Sequence, residues 1–510
     1  MTLAVTRTRA AVGIEAPAVA VEVHIAAGLP AFSIVGLPET AVREARERVR
    51  SAIQNAGFRF PVGRVTVNLA PADLPKSGGR FDLAIAVGVL IASGALPDAC
   101  CEEVEFLGEL ALGGDLRPVG GMIPAGGATR AASRLLVVPP GDAAEAALVH
   151  PKGVREAASL PAVWRWLRGE EALPAPTADP GTTPQRRPVP DLRDVVGQSA
   201  AKRALEIAAA GGHHLLLCGP PGTGKSMLAE RLPGLLPPLG PEAAARSAAV
   251  RSASGRAVDA GGWWTPPFRA VDHTVTRAGL VGGGSPPLPG EVSLATEGVL
   301  FLDELPELPR AALEALREPM ERGEVTLSRA RHQRAYPARF QLVAAMNPCP
   351  CGELGDPGGR CRCTEEQLAR YRRRLSGPLL DRFDLFVEVP RLAPEEFGAV
   401  PAGGRGNPET RQVQERVVAA RAWRRERSGC VNGDLEGQDL EEAATLVAPA
   451  REALAQIQWH AGLSPRGHHK LLRVGRTIAD LAAAERIEAE HLREAFQLRR
   501  GLLPWARGAA

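Results

Sequence analysis

The amino-acid sequence predicts an α/β protein built on a parallel sheet, with an all-α segment at its end. A glycine-rich loop, GPPGTGKS, stands between an apolar strand pattern at 215–218 and a helical pattern. A second apolar strand pattern ends in VLFLDE at 299–304. Strands that alternate with helices in this way form parallel sheets. After a Gly/Pro-rich stretch at 391–408, only helical periodicity remains, which predicts a helical lid.

The bulk composition excludes several classes of protein. The 510-residue chain is 45% hydrophobic and 23% charged, as in ordinary globular proteins. With a formal net charge of +3, any nucleic-acid surface must be a local basic patch. The N-terminus has no long apolar region and no apolar stretch is long enough to cross a bilayer, so we expect neither a signal peptide nor a membrane segment. Four of the eight cysteines cluster, which indicates metal binding in a reducing compartment, the cytoplasm.

Four segments are expected along the chain. They are an α+β domain at 1–168, a Pro-rich linker at 169–191, a nucleotide-binding core at 192–392 and a helical lid at 393–510. In the first segment, Val65, Val67 and Leu69 alternate as a half-buried strand, and 81–96 is an apolar run of helix length. The core is expected to contain helices near 202–210 and 227–236 and strands at 215–218, 299–303 and 340–346.

The GPPGTGKS loop has the spacing and the strand-to-helix context of a phosphate-binding loop. Glycines let backbone N–H groups approach phosphates, and the following helix N-terminus favours negative charge. Lys225 would supply charge to the β- and γ-phosphates, and Ser226 would ligate Mg²⁺. The predicted nucleotide-binding residues are Gly219, Pro220, Pro221, Gly222, Thr223, Gly224, Lys225, Ser226 and Asp303.

Acidic and amide side chains follow the later strand patterns. Asp303 would hold Mg²⁺, and Glu304 would orient and activate the attacking water. The alternative, a Gly-rich turn that matches the pattern by chance, is disfavoured because this acidic pair follows at the end of a second apolar strand. Asn347, which ends the strand pattern QLVAAMN, would position the same water, with a polar strand cap as the alternative.

Two arginines are candidates for contact with the γ-phosphate. Arg382, in SGPLLDRFDL, would reach the ATP of a neighbouring subunit, which requires a ring. The alternative for Arg382 is an ion pair with Asp381 or Asp384. Arg466, in LSPRGHHKLLR, begins a lid helix and is predicted to act as the second sensor of the phosphate.

The four clustered cysteines form two CxC pairs that flank a loop rich in Gly and Asp. They are Cys349, Cys351, Cys361 and Cys363. Four thiolates suit a closed, tetrahedral Zn²⁺ site, although the common spacing in such sites is CxxC. Reduced free thiols or a redox pair are the alternatives.

The stretch ERGEVTLSRARHQRAYP, which ends at Pro337, predicts a β-hairpin with a basic tip. Arg329, Arg331 and Arg334 are the expected DNA contacts, and phosphate contacts would make binding salt-dependent. Such a hairpin would contact DNA in the pore of the ring, and a second insertion at 276–291, TRAGLVGGGSPPLPGE, is expected to form another pore loop. For each, a solvated surface hairpin is the alternative.

Long stretches of the sequence resemble magnesium-chelatase-like AAA+ proteins of the ComM/YifB family. They include GEVSLATEGVLFLDELPEL, LEALREPMERGEVTLSRA, YPARFQLVAAMNPCPCG, RYRRRLSGPLLDRFDLFVEVP and RGHHKLLRVGRTIADL, and FSIVGLPETAVREARERVRSAI in the N-terminal part. The resemblance implies a hexameric ring motor that acts on DNA in branch migration during natural transformation. The sequence departs from the family where Val271-Asp272-His273 replaces Pro-His-His and where Ala295-Thr296 replaces Ala-His.

The first segment resembles the C-terminal domain of Lon proteases, notably in GELALGGDLRPVGG. Arg80 stands where the resemblance places the nucleophilic serine, and no lysine follows GGMIPA where the base would lie. Ser77 and Lys76 remain nearby, but adjacent residues of one loop rarely form a dyad. We therefore expect an adaptor or a DNA-guiding collar rather than a protease.

Two functions remain open at this point. The first is a DNA-translocating homo-hexamer that acts on single-stranded or branched DNA, uses ATP and Mg²⁺, carries Zn²⁺ and has no membrane partner. The second is a chelatase-type or chaperone-type motor that remodels a protein partner. An ATP-inert structural protein is disfavoured by the intact Lys225, Asp303, Glu304 and Asn347.

Overall fold

The structure is a computed structural model of the chain. It describes residues 2–36, 40–74, 76, 78–176, 189–258, 260–285, 287–329, 332–355, 358–392, 409–427 and 429–502. Parts of the expected linker and of the Gly/Pro-rich stretch, at 177–188 and 393–408, lie outside the described residues.

The N-terminal part contains a mixed seven-stranded sheet in the order β3-β4-β2-β1-β5-β8-β9. Its strands are β1 Thr2–Arg9, β2 Ala18–Ala26, β3 Ala31–Val35, β4 Arg64–Ala70, β5 Val104–Phe106, β8 Leu135–Val138 and β9 Val154–Glu156. A separate ladder pairs β6 Glu109–Leu110 with β7 Leu116–Arg117. The helices are Thr40–Asn55, Asp82–Ala92, Met122–Ala131, Pro140–Val149 and Leu160–Leu167.

Burial explains two of these elements from the sequence. Val65, Val67 and Leu69 of β4 are fully buried, which confirms the predicted alternation. Every residue of the helix Asp82–Ala92 is buried. A helix that is apolar all round must lie inside a core, and the apolar run that predicted this helix therefore marks the centre of the N-terminal part.

The central part contains a five-stranded sheet in the order β11-β14-β17-β10-β18, with every strand pair parallel. Its strands are β10 Leu215–Cys218, β11 Phe268–Val271, β14 Gly298–Leu302, β17 Phe340–Met346 and β18 Leu385–Glu388. Two small ladders pair β12 Gly282–Gly283 with β13 Leu288–Pro289, and β15 Glu324–Arg329 with β16 His332–Pro337. The helices are Ser199–Gly211, Lys225–Leu235, Pro241–Ala253, Arg277–Val281, Glu291–Leu294, Arg310–Ala315, Arg317–Arg322, Glu365–Arg372 and Gly377–Leu380.

The strand order places the predicted chemistry on one edge of this sheet. β17 lies between β10 and β14, so the carboxyl ends of these three parallel strands are neighbours. The glycine-rich loop follows β10, the acidic pair follows β14 and the asparagine follows β17. Parallel strands are covered on both faces, which is why all three read as mainly apolar runs in the sequence.

The C-terminal part is all-α, as predicted. Its helices are Glu409–Arg427, Gly437–Ala443, Ala448–Ala461, Pro465–Leu481 and Ala489–Gln497. Val417, Leu471 and Ile478 share one buried core with Leu205 and Leu217 of the central part. The lid and the nucleotide-binding core are therefore joined by apolar packing. None of the helices in the described part of the chain has the length and hydrophobicity that a bilayer crossing requires.

The N-terminal part also contacts the central part. Ile123 and Leu148 pack with Ala248 of the helix Pro241–Ala253 and with the nearby Trp263. This small apolar cluster positions the seven-stranded sheet beside the nucleotide-binding core.

Candidate functional site

The predicted phosphate loop forms a tight turn between β10 and the helix Lys225–Leu235. Gly222 and Gly224 have φ values of 76° and 89°, a left-handed backbone that residues with a Cβ rarely adopt. A Cβ on Gly219 would lie 2.2 Å from the carbonyl oxygen of Val389, just beyond β18. Glycine is therefore required at all three positions, twice for backbone conformation and once for close packing.

The side chain of Lys225 folds back onto this loop. Its Nζ donates hydrogen bonds to Gly219 O at 2.7 Å, Pro220 O at 2.8 Å and Asn347 Oδ1 at 3.2 Å. Burial lowers the pKa of Lys225, and nearby acidic groups and a thiol oppose that shift. Phosphate oxygens would give this ammonium group stronger acceptors than carbonyls, because hydrogen bonds between charged partners are the stronger ones. The position of Lys225 Nζ is therefore suitable for binding a phosphate group.

Oxygen ligands for a divalent cation lie next to the loop. Ser226 Oγ donates a hydrogen bond to Asp303 Oδ2 at 2.8 Å, and Asp303 Oδ1 accepts one from the backbone N–H of Glu304 at 2.9 Å. A hydroxyl and a carboxylate are hard oxygen donors of the kind that Mg²⁺ takes together with substrate phosphates. These two residues therefore fit Mg²⁺, which would neutralise phosphate charge when bound.

Glu304 has an unusual backbone and a histidine partner. Its φ of 49° is left-handed, a conformation uncommon outside glycine. Its Oε2 lies 3.2 Å from Nδ1 of His273, and both side chains are about half exposed. His273 follows β11, whose pairing with β14 brings the two residues together. The sequence had marked His273 only as part of a departure from the family pattern, because β11 itself was not predicted.

Seven of the nine predicted nucleotide-binding residues line one open cavity of about 440 Å³, whereas Gly219 and Pro220 do not line it. Its lining comprises Pro221, Gly222, Thr223, Gly224, Lys225, Ser226, Met227, Asp303, Glu304, Met346 and Asn347. The loop lysine, the acidic pair and the asparagine are thus brought together from three strands. This arrangement can bind a nucleoside triphosphate with Mg²⁺ and place a carboxylate beside it.

Arg382 and Arg466 lie elsewhere. The guanidinium of Arg382 pairs with Glu321 of the helix Arg317–Arg322, and not with Asp381 or Asp384. Burial lowers the pKa of Arg382, and the nearby Arg466 and a third arginine lower it further. Among the residues that the structure describes, neither Arg382 nor Arg466 lines the nucleotide cavity. Their roles stay predictions for a ring in which a neighbouring chain would supply the ATP.

The four cysteines of the two CxC pairs converge. Their Sγ atoms all lie within 4.8 Å of one another. Cys349 Sγ is 3.4 Å from Cys351 Sγ and 3.8 Å from Cys361 Sγ, and the latter two are 3.7 Å apart. A tetrahedron with Zn–S bonds of about 2.3 Å has S···S edges of about 3.8 Å. With Cys363 as the fourth ligand, the cluster therefore fits zinc.

The cysteine segment packs directly on the nucleotide site. A Cβ on Gly352 would lie 2.5 Å from the ring of Pro221 in the phosphate loop. Tyr371 donates a hydrogen bond from its hydroxyl to Asn347 O at 3.2 Å. A metal that orders the cysteine segment would therefore support both the loop and the asparagine.

The purified protein is expected to carry about one zinc per chain, because four thiolates close a structural site of this kind. Elemental analysis after purification without chelator measures it. Since metal-binding energy at such sites is also folding energy, stripping the metal should lower the melting temperature. Cys218, a buried strand cysteine, provides the matched control: Cys218→Ser should leave the zinc content unchanged, whereas Cys361→Ser should reduce it. A metal-free native protein would contradict the assignment.

The predicted basic hairpin is present. β15 and β16 pair antiparallel from Glu324 opposite Pro337 to Arg329 opposite His332. The tip residue Arg331 lies outside the described residues. Further down, Arg334 Nη1 donates a 3.5 Å hydrogen bond to a backbone carbonyl of the N-terminal part. The sequence could not predict this contact, which joins positions far apart in the chain.

Tyr336 ties the hairpin to its surroundings. Its hydroxyl donates a hydrogen bond to Pro287 O at 2.9 Å, within the second predicted insertion. That insertion contains the helix Arg277–Val281 and the ladder of β12 with β13. The ring of Tyr336 faces Gly13, where an added Cβ would lie 3.6 Å from it. One buried side chain thus links both insertions and the N-terminal part.

The Lon-like positions of the N-terminal part offer no nucleophile among the described residues. Arg80 is buried and donates a 3.0 Å hydrogen bond to Gly120 O. Burial lowers its pKa to about 10. Lys76 is also buried and donates hydrogen bonds to the carbonyls of Gly36 and Leu74. Ser77 lies outside the described residues.

Three family models match the chain in order. The model described as subunit ChlI of Mg-chelatase matches residues 21–142. The model described as magnesium chelatase, subunit ChlI, matches residues 191–397. The model of the ChlI C-terminal segment matches residues 407–499. Together they span the three parts of the fold.

Similarity to individual proteins extends over nearly the whole chain. YifB of Salmonella typhimurium is 48% identical over 499 residues, which cover 98% of this chain and 97% of the relative. The competence protein ComM of Haemophilus influenzae is 47% identical over 502 residues, 98% of each chain. The maternal DNA replication licensing factor mcm6 of Xenopus tropicalis is 23% identical over 217 residues, 41% of this chain and 25% of the relative. The chain therefore belongs to the magnesium-chelatase-like AAA+ family that includes ComM and YifB.

Proposed function

We propose that this protein is an ATP-driven AAA+ ring motor that acts on single-stranded or branched DNA. Membership of the family and the cavity around Lys225 support an ATPase that uses Mg²⁺. The finer proposal is a homo-hexameric helicase that promotes branch migration in natural transformation or recombination. In this proposal the chain consists of an N-terminal domain at 1–168, a linker at 169–191, an ATPase core at 192–392 and a helical lid at 393–510. The protein would work in the cytoplasm, where the thiols of the cysteine cluster stay reduced.

The observation that carries the proposal is the connection between the basic hairpin and the ATP site. Two residues join β16 to β17, and Asn347 directly follows the end of β17 at Met346. Asn347 Oδ1 accepts a hydrogen bond from Lys225 Nζ. One strand therefore joins the hairpin to an atom in contact with the phosphate-binding lysine, and a load on the hairpin would be transmitted along it. Through this connection, ATP binding and hydrolysis could be coupled to movement of the hairpin that is proposed to bind DNA.

The relatives favour DNA over another polymer. One is named a competence protein and another a DNA replication licensing factor. The family models, in contrast, are named for a chelatase subunit, which keeps a motor that remodels a protein partner as the second candidate. ATPase assays with single-stranded, forked and four-way-junction DNA separate the two. We expect stimulation by DNA; a rate that responds only to a protein partner would favour the second candidate.

Charge reversal at the hairpin tip tests the DNA contact itself. The double change Arg329→Glu and Arg331→Glu is expected to reduce DNA-stimulated ATPase activity to the basal rate, because like charges would repel the phosphates. Basal activity should remain, since the hairpin contributes no group to the nucleotide cavity among the described residues. Steady-state ATPase rates with and without DNA, over a range of salt concentrations, measure both effects.

Two further variants make this test specific. Arg334→Glu, made separately, also breaks the contact with the N-terminal part and reports on that contact as well as on DNA. Arg322→Glu is the matched control, because this exposed arginine precedes the hairpin and pairs with Glu318 one turn earlier on the same helix. DNA stimulation that survived reversal of Arg329, Arg331 and Arg334 together would refute the hairpin contact.

A further inference from the structure

The backbone that carries Arg382 is held by side chains of the lid. Lys470 Nζ donates hydrogen bonds to Arg382 O at 2.9 Å and Phe383 O at 3.2 Å. Arg499 Nη1 donates to Asp384 O at 2.5 Å and to Phe383 O at 3.4 Å. Three successive carbonyls of the central part therefore have lid donors, although these residues lie between 87 and 116 positions apart in the chain.

Lys470 also forms a buried ion pair with the same tripeptide. Its Nζ lies 2.8 Å from Asp384 Oδ1, and the two side chains are only 13% and 8% exposed. Burial disfavours the charged carboxylate, but Lys470 and two histidines hold the pKa of Asp384 well below its usual range. With two carbonyls and one carboxylate, all three N–H donors of Lys470 are used on Arg382, Phe383 and Asp384.

The carboxylate is itself anchored to the sheet. Asp384 Oδ2 accepts a hydrogen bond from the backbone N–H of His214 at 3.0 Å, and the backbone N–H of Asp384 donates to His214 O at 2.9 Å. His214 directly precedes β10, the strand that leads to the phosphate loop. Lys470 thus binds residues 382–384 at the point where they lead into β18 of the sheet.

The same lid helix carries a second candidate arginine. Lys470 and Arg466 lie four residues apart on the helix Pro465–Leu481, so they share one face of it. Arg466 is close enough to Arg382 to lower its pKa. A movement of this helix would therefore shift the backbone of Arg382 and the side chain of Arg466 together.

Buried ion pairs are weak evidence for stability, because desolvation of the two charges offsets their attraction. The contacts of Lys470 are all directed at one tripeptide, which indicates a role in geometry. We propose that Lys470 is a positioning residue: it fixes the backbone of Arg382 so that the guanidinium meets the γ-phosphate of ATP bound to a neighbouring chain. This inference rests on the proposed ring. It assigns to the lid a role in trans that is separate from the nucleotide cavity of its own chain.

The test combines a variant that keeps the core neutral with a mixing assay. Lys470→Met together with Asp384→Asn removes both charges, so no unpaired ion is left in the interior. We expect at least a tenfold loss of kcat, with the KM for ATP changed by less than about twofold, because the cavity residues are intact. Thermal melting and size-exclusion chromatography show that the variant folds and assembles.

Mixing separates a role in trans from a structural role of the lid. When the double variant is mixed with Lys225→Ala chains, its intact phosphate loop meets an intact Arg382 of the neighbour, and activity should be regained. A lid that is merely damaged would impair its own nucleotide site and would not be rescued. The matched control is Lys202→Met with Glu409→Gln, which removes a 3.0 Å ion pair between the core and the helix Glu409–Arg427 that includes none of the residues 382–384.

The outcomes distinguish this inference from the ring itself. Rescue of both Arg382→Ala and the Lys470 double variant by Lys225→Ala chains supports the inference. Rescue of Arg382→Ala alone, or a Lys470 double variant with full activity, overturns it and leaves the ring standing. Failure to rescue either variant in confirmed mixed assemblies overturns both.

Discussion

Glu304→Gln is expected to abolish ATP turnover while ATP binding persists. The carboxylate follows β14 at the edge of the nucleotide cavity, beside the aspartate that contacts Ser226. An amide of the same shape cannot accept a proton from water, and a general base contributes about 10²–10⁴-fold in rate. Lys225→Ala should instead weaken binding, because the ammonium group supplies charge directly to the phosphates. Steady-state ATPase rates and titration with a fluorescent ATP analogue measure the two effects separately.

The acidic residue Glu307 provides the control for Glu304. It lies three positions further on, is about half exposed and pairs with Arg374 outside the cavity. Glu307→Gln should therefore retain nearly full ATPase activity. A full rate in Glu304→Gln would rule out this residue as the base and direct attention to its partner, His273.

The sequence predicted the elements whose burial follows a regular pattern. β10 and β14 are buried along their whole length and β17 from Gln341 onward, so each reads as a mainly apolar run. β11 was missed because its burial is uneven: only its last residue, Val271, is buried. Consequently the contact between His273 and Glu304 was also missed, since it depends on β11 pairing with β14.

The spacing of residues in the sequence predicted the local part of the site, but it could not predict contacts between distant segments. The CxC pairs indicated a metal cluster, and the four Sγ atoms do lie together. For an ion pair of Arg382, the alternative to its predicted contact with a neighbour's ATP, the sequence offered only Asp381 and Asp384 as partners. In the structure Asp384 forms an ion pair with Lys470, and Arg382 pairs with Glu321 of an earlier helix. Such choices depend on how the lid and the helices pack against the sheet, which no local pattern encodes.

Arg382→Ala is expected to cost about 10³–10⁵ in ATPase rate, the range typical of an arginine that stabilises transferred phosphate from a neighbouring chain. The change should have little effect on ATP binding, since Arg382 does not line the cavity of its own chain within the described residues. It also frees Glu321, an exposed residue, at little cost in stability. Measurement of kcat and KM at protein concentrations that favour assembly tests this expectation.

Mixed rings then decide whether Arg382 acts across an interface. In an equal mixture of Arg382→Ala and Lys225→Ala chains, about a quarter of the head-to-tail interfaces pair an intact phosphate loop with an intact arginine. About a quarter of the wild-type rate per site should therefore return, although each variant alone is inactive. A mixture of Lys225→Ala with Glu304→Gln is the matched control: both changes damage the same half of the interface, so no active pair can form. If Arg382→Ala remained inactive in assemblies shown to be mixed, the pairing with Glu321 would be its whole role.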